Sequence, residues 1–307
     1  MGKILHDTPH MEHVRTLFAA WKCGMWENRE SAKRETILYR LLTFTSLYKA
    51  RLHSKAARTK RPERSTMYEF DARVRYSETD ETQNITITAL VNYLQDCSTF
   101  HSADVGLTVD YLNELHRAWL LSYWDIYIER MPRLYENISI GTSPHEFRGV
   151  LAHRNFWIKD KEGNYLLKAD SLWFNFDTER MRPVKIEENM IAPFGGINDV
   201  LKLPASDRRV SEPKELTTGD PIKVEQHHID TNHHVNNARY IQIADDVLTK
   251  ATEGKVHFTS GRIRAEYRKA AVLGDIMIPK YGTTESGSVV LSLQNEAGEV
   301  YCNIEFS

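Results

Sequence analysis

Cysteine is scarce in this sequence, whose 307 residues contain only Cys23, Cys97 and Cys302. An odd number of widely separated thiols argues against a disulfide-stapled secreted fold, and their spacing matches no pattern typical of a zinc site. We therefore expect a protein of the reducing cytoplasm in which the thiols are structural.

Long apolar runs are also missing. No stretch approaches the roughly 20 residues needed to span a bilayer, and no charged-then-apolar secretory signal opens the chain. The sequence therefore predicts no membrane span. Its 41% hydrophobic and 10% aromatic residues suffice for one large or two ordinary globular domains.

The third shortage is of basic residues outside the N-terminal region. Of the 40 Lys/Arg and 42 Asp/Glu residues, residues 1–66 hold 14 and 6, which leaves 26 bases against 36 acids in the rest of the chain. An acidic body argues against nucleic acid as a main partner, because phosphate binding requires a concentrated basic face.

Residues 1–66 are interpreted as a basic extension outside the folded core. The apolar spacing of residues 31–54 is typical of a basic amphipathic helix, and residues 53–66 have the composition of a linker. The basic head is compatible with an organelle address or a membrane-surface arm, although transit peptides are poor in acids and this segment is not. Organised alternation begins at Met67. Because this residue is a methionine at the edge of the core, whether the natural protein starts there is left open.

Two segments of the remaining chain resemble one another. Placing Asp80 on Asp230 also places Ile85 on Val235, and a helical pattern follows each segment. Each helix has an apolar stripe with 3.6-residue periodicity, formed by Leu90, Tyr93, Leu94 and Cys97 in the first and by Tyr240, Ile243, Ala244, Val247 and Leu248 in the second.

Short polar residues stand where these two helices begin. Thr86 or Thr88 is the expected N-cap of the first helix, and Asn236 or Asn237 that of the second. Strand patterns then follow each helix, at 119–128, 136–143, 146–159 and 165–177 in the first half and at 257–269, 275–283, 288–295 and 299–306 in the second. A lone helix with an apolar stripe is buried only by a sheet that curls around it. The sequence thus predicts an α+β fold in which this unit occurs twice.

The sharpest local feature is the segment 230–240, where Asp230, Asn232 and His234 occupy positions i, i+2 and i+4. In an extended segment these positions share one face, so the side chains converge beside the unpaired N–H groups and positive dipole end of the following helix. Thioester hydrolysis needs such parts: a base for water, an amide that positions it, and N–H donors for the oxyanion.

Other interpretations of this segment stay open on spacing alone. Asp, Asn and His are common helix caps and turn residues. A cluster of four histidines is also compatible with a metal site, although neighbouring side chains point apart and no cysteine or carboxylate pair completes a ligand shell. These histidines are His227, His228, His233 and His234.

The segment Asp230-Thr-Asn-His-His234-Val-Asn-Asn-Ala-Arg-Tyr240 resembles the Asp-x-Asn-x-His-Val-Asn-Asn signature of the acyl-ACP thioesterases, the bacterial relatives of the plant enzymes that terminate fatty acid synthesis. Residues 87–101 resemble the first helix of that family. Similar residues also occur at Arg117-Ala-Trp119, Tyr127–Pro132 and Leu172-Trp173. The resemblance covers about Met67 to Phe306 in the expected order.

This resemblance implies a double hotdog fold, in which each of two tandem domains is a long helix wrapped by an antiparallel sheet. The expected divisions are the basic extension 1–66, an N-terminal hotdog domain with the acyl pocket at 67–197, a linker at 198–218 and a catalytic C-terminal hotdog domain at 219–307. The implied activity is hydrolysis of fatty acyl-ACP thioesters in fatty acid biosynthesis. The implied partner is acyl carrier protein, the protein is a monomer or homodimer, and no metal or organic cofactor is needed.

The resemblance also implies roles for single residues. Asp230 orients or activates, Asn232 holds substrate or water, and His234 takes part in water activation. The first repeat has Thr82 and Asn84 at the positions of Asn232 and His234. Because the histidine is missing there, the first repeat is expected to shape the acyl pocket without doing chemistry.

The chain departs from the family pattern at Ala270, where the family has an acidic residue. Glu266 lies on the same strand face, but four residues span ~13 Å along a strand, so it does not simply substitute. Either Asp230 is the base, as in the single-hotdog acyl-CoA thioesterases, or catalysis is weaker.

Two further functions remain open. An acyl-CoA thioesterase shares the Val-Asn-Asn-x-x-Tyr stretch, although two unequal repeats in one chain favour the carrier-protein enzymes. A non-catalytic acyl-binding protein is favoured by Ala270 and opposed by the intact set of Asp230, Asn232 and His234. On one predicted strand, a row of basic residues is compatible with a cationic docking face for an acidic carrier or with a charge-protected edge strand. These residues are Arg262, Arg264 and Arg268.

Overall fold

The computed structural model describes residues 66–253 and 258–307. The predicted helix at 31–54, nearly all of the predicted linker and Cys23 therefore lie outside the described residues. Within the described ranges, no helix is long and apolar enough to cross a membrane.

The described chain folds into strands and helices in the order expected for two repeats. The strands are β1 (Tyr68–Arg73), β2 (Arg117–Ile128), β3 (Asn137–Arg148), β4 (Leu151–Asp160), β5 (Tyr165–Asp177), β6 (Arg182–Pro183), β7 (Thr217–Thr218), β8 (Ile222–Lys223), β9 (Gly261–Tyr267), β10 (Ile276–Thr283), β11 (Val289–Gln294) and β12 (Val300–Phe306). The α-helices are α1 (Ile87–Asp104), α2 (Val109–Glu114), α3 (Glu188–Ile191) and α4 (Asn237–Ala251). Single 3-10 turns occupy Tyr76–Glu78, Ala192–Phe194 and Gln226–His228.

One antiparallel sheet contains the strands of both repeats, in the order β1-β3-β4-β5-β2-β9-β12-β11-β10-β7. The two repeats join where β2 pairs with β9, with Trp124 opposite Ala265 and Ile126 opposite Ile263. Joining them at this seam leaves two fewer exposed sheet edges than two separate sheets would have. The short strands β6 and β8 pair with β5 and β10.

The two long helices pack against each other and against one face of this sheet, which we call the inner face. Trp124, Phe156, Leu94 and Ile241 are fully buried in the shared core. Burial of a large apolar side chain stabilises by roughly 1.5–3 kcal/mol, so this core is the main source of folding free energy. The helix caps lie within the predicted pairs: Thr86 Oγ1 accepts from the Ala89 N–H (3.3 Å) and Asn236 Oδ1 from the Ala238 N–H (2.9 Å).

The predicted strand at 146–159 is wrong in its N-terminal boundary. β3 continues through Pro144 to Arg148, with a shift of register between Pro144 and Glu146, and the chain turns only at Gly149. A proline inside a sheet is tolerated at such an irregularity, and glycine permits the left-handed φ of 65° that the turn requires. Helix α2 was missed because six residues are too few to show a helical period.

The interpretation of the basic residues on β9 as a charge-protected edge strand is also wrong. β9 lies inside the sheet between β2 and β12, so it is not an edge strand. All three arginines are paired with carboxylates: Arg262 with Asp125, Arg264 with Glu305 and Arg268 with Glu266. Ser206 and Asp207, in the connection between the repeats, accept further hydrogen bonds from Arg262 and Arg264. This strand therefore holds the connection in place and presents no row of unneutralised cations.

Candidate active site

The loop before α4 is shaped by the carboxylate of Asp230. Its Oδ1 accepts hydrogen bonds from the N–H groups of Asn232 (2.8 Å) and His234 (3.5 Å), and the Asp230 N–H donates to the His234 carbonyl (2.8 Å). His233, at the tip, has a φ of 61°, and Ile229 pairs with Val235 across the loop. The three predicted catalytic residues are therefore held on one tight turn.

The loop before α1 is built in the same way. Asp80 Oδ1 accepts from the N–H groups of Thr82 (2.8 Å) and Asn84 (3.1 Å), and Gln83 has a φ of 66°. The pattern of buried and exposed residues over 71–86 is identical to that over 221–236. A shaping role for the aspartate is thus common to both loops. What distinguishes the second loop chemically is Asn232 and His234.

A cavity of about 460 Å³ adjoins the second loop. Asp230 and Asn232 form part of its wall, together with Asn236 and Asn237 at the start of α4. His234 is half-buried on the same turn, but it is not one of the described residues that line the cavity. The structure thus brings Asp230 and Asn232 to the cavity wall, whereas His234 lies on the same turn outside that wall.

The first turn of α4 supplies backbone donors beside this wall. The N–H groups of Ala238 and Arg239 are used by the Asn236 cap, through its side chain and its carbonyl (both 2.9 Å). The Asn237 N–H has no acceptor in the described part of the chain. Asn237 lines the cavity, and an N–H without an acceptor at a helix start is a donor suited to a ligand oxygen.

Gln95 on α1 is a site residue that the sequence did not single out. Its Oε1 accepts from Asn237 Nδ2 (3.0 Å), and its Nε2 donates to Asn236 Oδ1 (3.5 Å). The first helix therefore fixes the start of the second across the interface between the repeats. The doublet Asn236-Asn237 was a visible signal, but nothing in the linear sequence pointed to a glutamine 141 residues earlier.

Ala270, which stands where the family has an acidic residue, lies next to the site. Its neighbour Ala271 accepts the Val235 N–H (2.9 Å) through its carbonyl and donates its own N–H to the Tyr240 hydroxyl (2.8 Å). Ala270 itself is exposed and supplies no carboxylate. Glu266 does not replace one, because its carboxylate binds the Val210 N–H and Arg268, each at 3.0 Å.

The histidines outside the signature make local contacts. His228 Nδ1 accepts from the Glu225 N–H (3.0 Å), and the rings of His227 and His228 lie 4.0 Å apart. Burial, reinforced by the nearby His227 and Arg239, lowers the pKa of His228 below its ordinary value. His228 is thus tied to the turn at Glu225 and has a local structural role.

Two family models match the chain. The acyl-ACP thioesterase N-terminal domain matches residues 65–194, and the acyl-ACP thioesterase C-terminal domain matches residues 211–307. Among curated proteins, the chloroplastic dodecanoyl-[acyl-carrier-protein] hydrolase of Cinnamomum camphora is 24% identical over 237 residues, which are 70% of this chain. The match covers 60% of the plant protein, so the chain spans less than two thirds of that relative's length.

Solved structures have the same architecture. A protein described as an oleoyl thioesterase from Lactobacillus plantarum has a TM-score of 0.69 and 25% identity, covering 81% of this chain and 97% of its own. An acyl-ACP thioesterase from Bacteroides thetaiotaomicron has a TM-score of 0.68 and 22% identity, covering 81% and 99%. The 12:0-ACP thioesterase from Umbellularia californica has a TM-score of 0.65 and 17% identity, covering 79% and 97%. The double hotdog fold predicted from the sequence is confirmed, and the two family matches place this chain in the acyl-ACP thioesterase family.

Proposed function

We propose that this protein hydrolyses fatty acyl thioesters of acyl carrier protein and releases the free fatty acid. The observation that carries the proposal is the signature loop of Asp230, Asn232 and His234, which places Asp230 and Asn232 in the wall of an aromatic cavity. The family and the activities described for its relatives support the same reaction. The free, buried thiols of Cys97 and Cys302 suit a cytoplasmic location, which stays a prediction.

The cavity beside the loop of Asp230 is the better place for an apolar chain. Its wall contains the aromatic side chains Trp119, Phe147, Trp173 and Phe194, all contributed by the first half of the chain. A cavity of about 480 Å³ beside the first loop is lined instead by charged groups, including Asp80, Asp96, Arg239, Asp245 and Asp246. Removing apolar surface from water favours the aromatic cavity, so the first repeat shapes the acyl site and the second supplies the chemistry.

The proposed reaction is base-assisted addition of water to the thioester carbonyl. The proton of the water passes to Asp230, which lines the cavity, while His234 assists in activating the water and Asn232 positions the water or the carbonyl. The Asn237 N–H and the positive end of the α4 dipole stabilise the oxyanion. When the tetrahedral intermediate collapses, the carbon–sulfur bond breaks and the carrier's thiol leaves with a proton.

The direct test is the release of free fatty acid from matched thioesters on two carriers. We expect turnover on acyl carrier protein to exceed turnover on coenzyme A at every chain length, measured as kcat/KM. A preference for coenzyme A would replace the proposal with an acyl-CoA thioesterase. Binding of the acylated carrier with no hydrolysis above background would establish a non-catalytic acyl-binding protein.

Ala270 gives the proposal a second test. If the missing carboxylate limits the reaction, Ala270→Glu restores a base beside the Val235–Ala271 hydrogen bond and raises kcat about tenfold, at the lower end of what a positioned general base contributes. The measurement is single-turnover hydrolysis of one acyl carrier protein thioester. Val272→Glu, at a position that is 42% exposed and two residues further on, is the matched control and is expected to change little. Equal rates in all three proteins would show that Asp230 and His234 suffice without a third acid.

A further inference from the structure

The same cavity contains a buried cation that the proposed reaction does not use. Arg154, on β4, is 7% exposed and forms part of the cavity wall. Its Nη1 donates to His101 Nδ1 and to Thr142 Oγ1, both at 3.1 Å, and its guanidinium lies 5.1 Å from the centre of the Phe194 ring. Across residues 66–253 and 258–307, no carboxylate is paired with it.

This arrangement is energetically unfavourable in the absence of a ligand. Neutral hydrogen-bond acceptors and an aromatic face only partly replace the water that a guanidinium loses on burial, and an uncompensated buried charge is strongly destabilising. Burial lowers the pKa of Arg154 to about 10, so the group remains charged at neutral pH. A compensating anion is therefore expected from outside the described chain.

The other polar groups above Arg154 are already satisfied. The hydroxyls of Ser98, Thr99 and Ser102, which line the cavity from α1, donate to helix carbonyls within 3.0 Å. Such back-bonding within a helix uses the proton of each hydroxyl. The guanidinium is thus the strongest donor left in this part of the wall.

A second donor lies in the same row of the sheet. Arg154 faces Ser171 on β5, and Ser171 faces Trp124 on β2, so all three side chains point to the inner face. The indole N–H of Trp124 is buried, and within the described ranges it has no hydrogen-bond partner. The floor beneath the helices therefore carries a guanidinium with no anionic partner among the described residues and an indole N–H with no acceptor there.

Position along α1 places Arg154 well away from the catalytic loop. Gln95 contacts the start of α4, and His101, which contacts Arg154, lies six residues further along the helix, or about 9 Å. At roughly 1.2 Å of advance per bond, the figure for an extended chain, this separation corresponds to about seven or eight bonds. A substrate chain of medium length would reach from one group to the other.

Given the thioesterase activity proposed above, on which this inference rests, we propose that Arg154 closes the acyl cavity and selects thioesters whose acyl chain ends in a carboxylate. The chain's terminal carboxylate would accept the two parallel N–H bonds that a guanidinium fork offers. Its negative charge would also supply the counter-charge that Arg154 lacks.

The test compares plain acyl chains with chains of equal length that end in a carboxylate, from hexanoyl to dodecanoyl, all on acyl carrier protein. In the wild type, kcat/KM is expected to be at least about tenfold higher for the carboxylate-ended chain near octanoyl length. Arg154→Met should lower that value about 10²-fold and leave hydrolysis of the plain chain equal or faster. Ser98→Ala, which alters a back-bonded hydroxyl in the same wall, should leave the ratio between the two chains unchanged.

Folding and catalysis are controlled separately. Because methionine removes an unpaired buried charge at similar volume, Arg154→Met is expected to melt at the wild-type temperature or above it. If it fails to fold, Arg154→Lys, which keeps the charge, takes its place and should retain part of the preference. A wild type that hydrolyses plain chains as well as carboxylate-ended ones would overturn the inference while leaving the thioesterase proposal intact.

Calorimetry with the free acids distinguishes the two proposals. Octanedioate is expected to bind the wild type at least about tenfold more tightly than octanoate, and Arg154→Met should abolish the difference. If this result is found in a protein that hydrolyses no thioester, Arg154 keeps its role and the proposed function fails. Equal binding of the two acids removes the role of Arg154 whatever the hydrolysis assay shows.

Discussion

His234→Ala and Asp230→Asn are each expected to lower kcat on acyl carrier protein thioesters by about 10²–10⁴-fold, because each removes a group that helps to activate the attacking water. Asparagine is chosen at position 230 because its side-chain oxygen can still accept the Asn232 N–H, which now lies 2.8 Å from the carboxylate. The loop is then kept while the charge is lost. The measurement is single-turnover fatty acid release, with thermal melting to verify that both variants fold.

The first loop offers matched controls for these variants. Asp80→Asn and Asn84→Ala change the corresponding residues in a turn with the same hydrogen bonds, and their activity is expected to stay near that of the wild type. If the controls lose activity and the two variants of the second loop do not, the chemistry lies in the first repeat. If all four variants lose activity to the same extent, the effect is structural and no base has been identified.

Features that depend on neighbours in sequence could be predicted from the sequence. The two long helices and their caps follow from residues within about ten positions of each other, so the alignment of Asp80 with Asp230 was sufficient to predict them. The extended segment expected at 230–234 was wrong, because the Asp230 carboxylate folds it into a tight turn. The strand at 165–177 was predicted with the observed boundaries, because it starts after a clear turn and ends in a polar segment. Family resemblance then placed the catalytic candidates on a loop that does adjoin a cavity.

Features that depend on the register of distant strands could not be predicted. The strand at 146–159 was misplaced because Pro144 looks like a break, whereas the sheet accommodates it with a shift of register. The row of basic residues on β9 looked like a docking surface until the pairing of β2 with β9 placed Asp125 beside Arg262. Arg154 likewise has no special linear context, and only the folded structure shows that none of the described carboxylates pairs with it.

A buried ion pair lies at the seam between the repeats, and its loss is expected to lower the free energy of unfolding strongly. Asp125 on β2 is 2% exposed and binds Arg262 on β9 through two hydrogen bonds, from Nε (2.7 Å) and Nη2 (2.8 Å). Asp125→Asn keeps the shape but removes the charge that this guanidinium faces. Breaking a buried ion pair costs about 3–5 kcal/mol. We expect about 3 kcal/mol, at the lower end, because the Arg262 side chain is 31% exposed and partly hydrated. Chemical denaturation of both proteins measures the difference in the free energy of unfolding.

An exposed ion pair of equal length isolates the contribution of burial. Lys250 and Asp220 are also 2.7 Å apart, but their side chains are 76% and 84% exposed, so Asp220→Asn is expected to leave the free energy of unfolding nearly unchanged. The double variant Asp125→Asn with Arg262→Met should recover much of the stability lost by Asp125→Asn alone, because no unpaired charge then remains at the seam. If Asp125→Asn and Asp220→Asn cost the same, the seam is held by strand pairing and apolar packing, and the ion pair contributes little to joining the repeats.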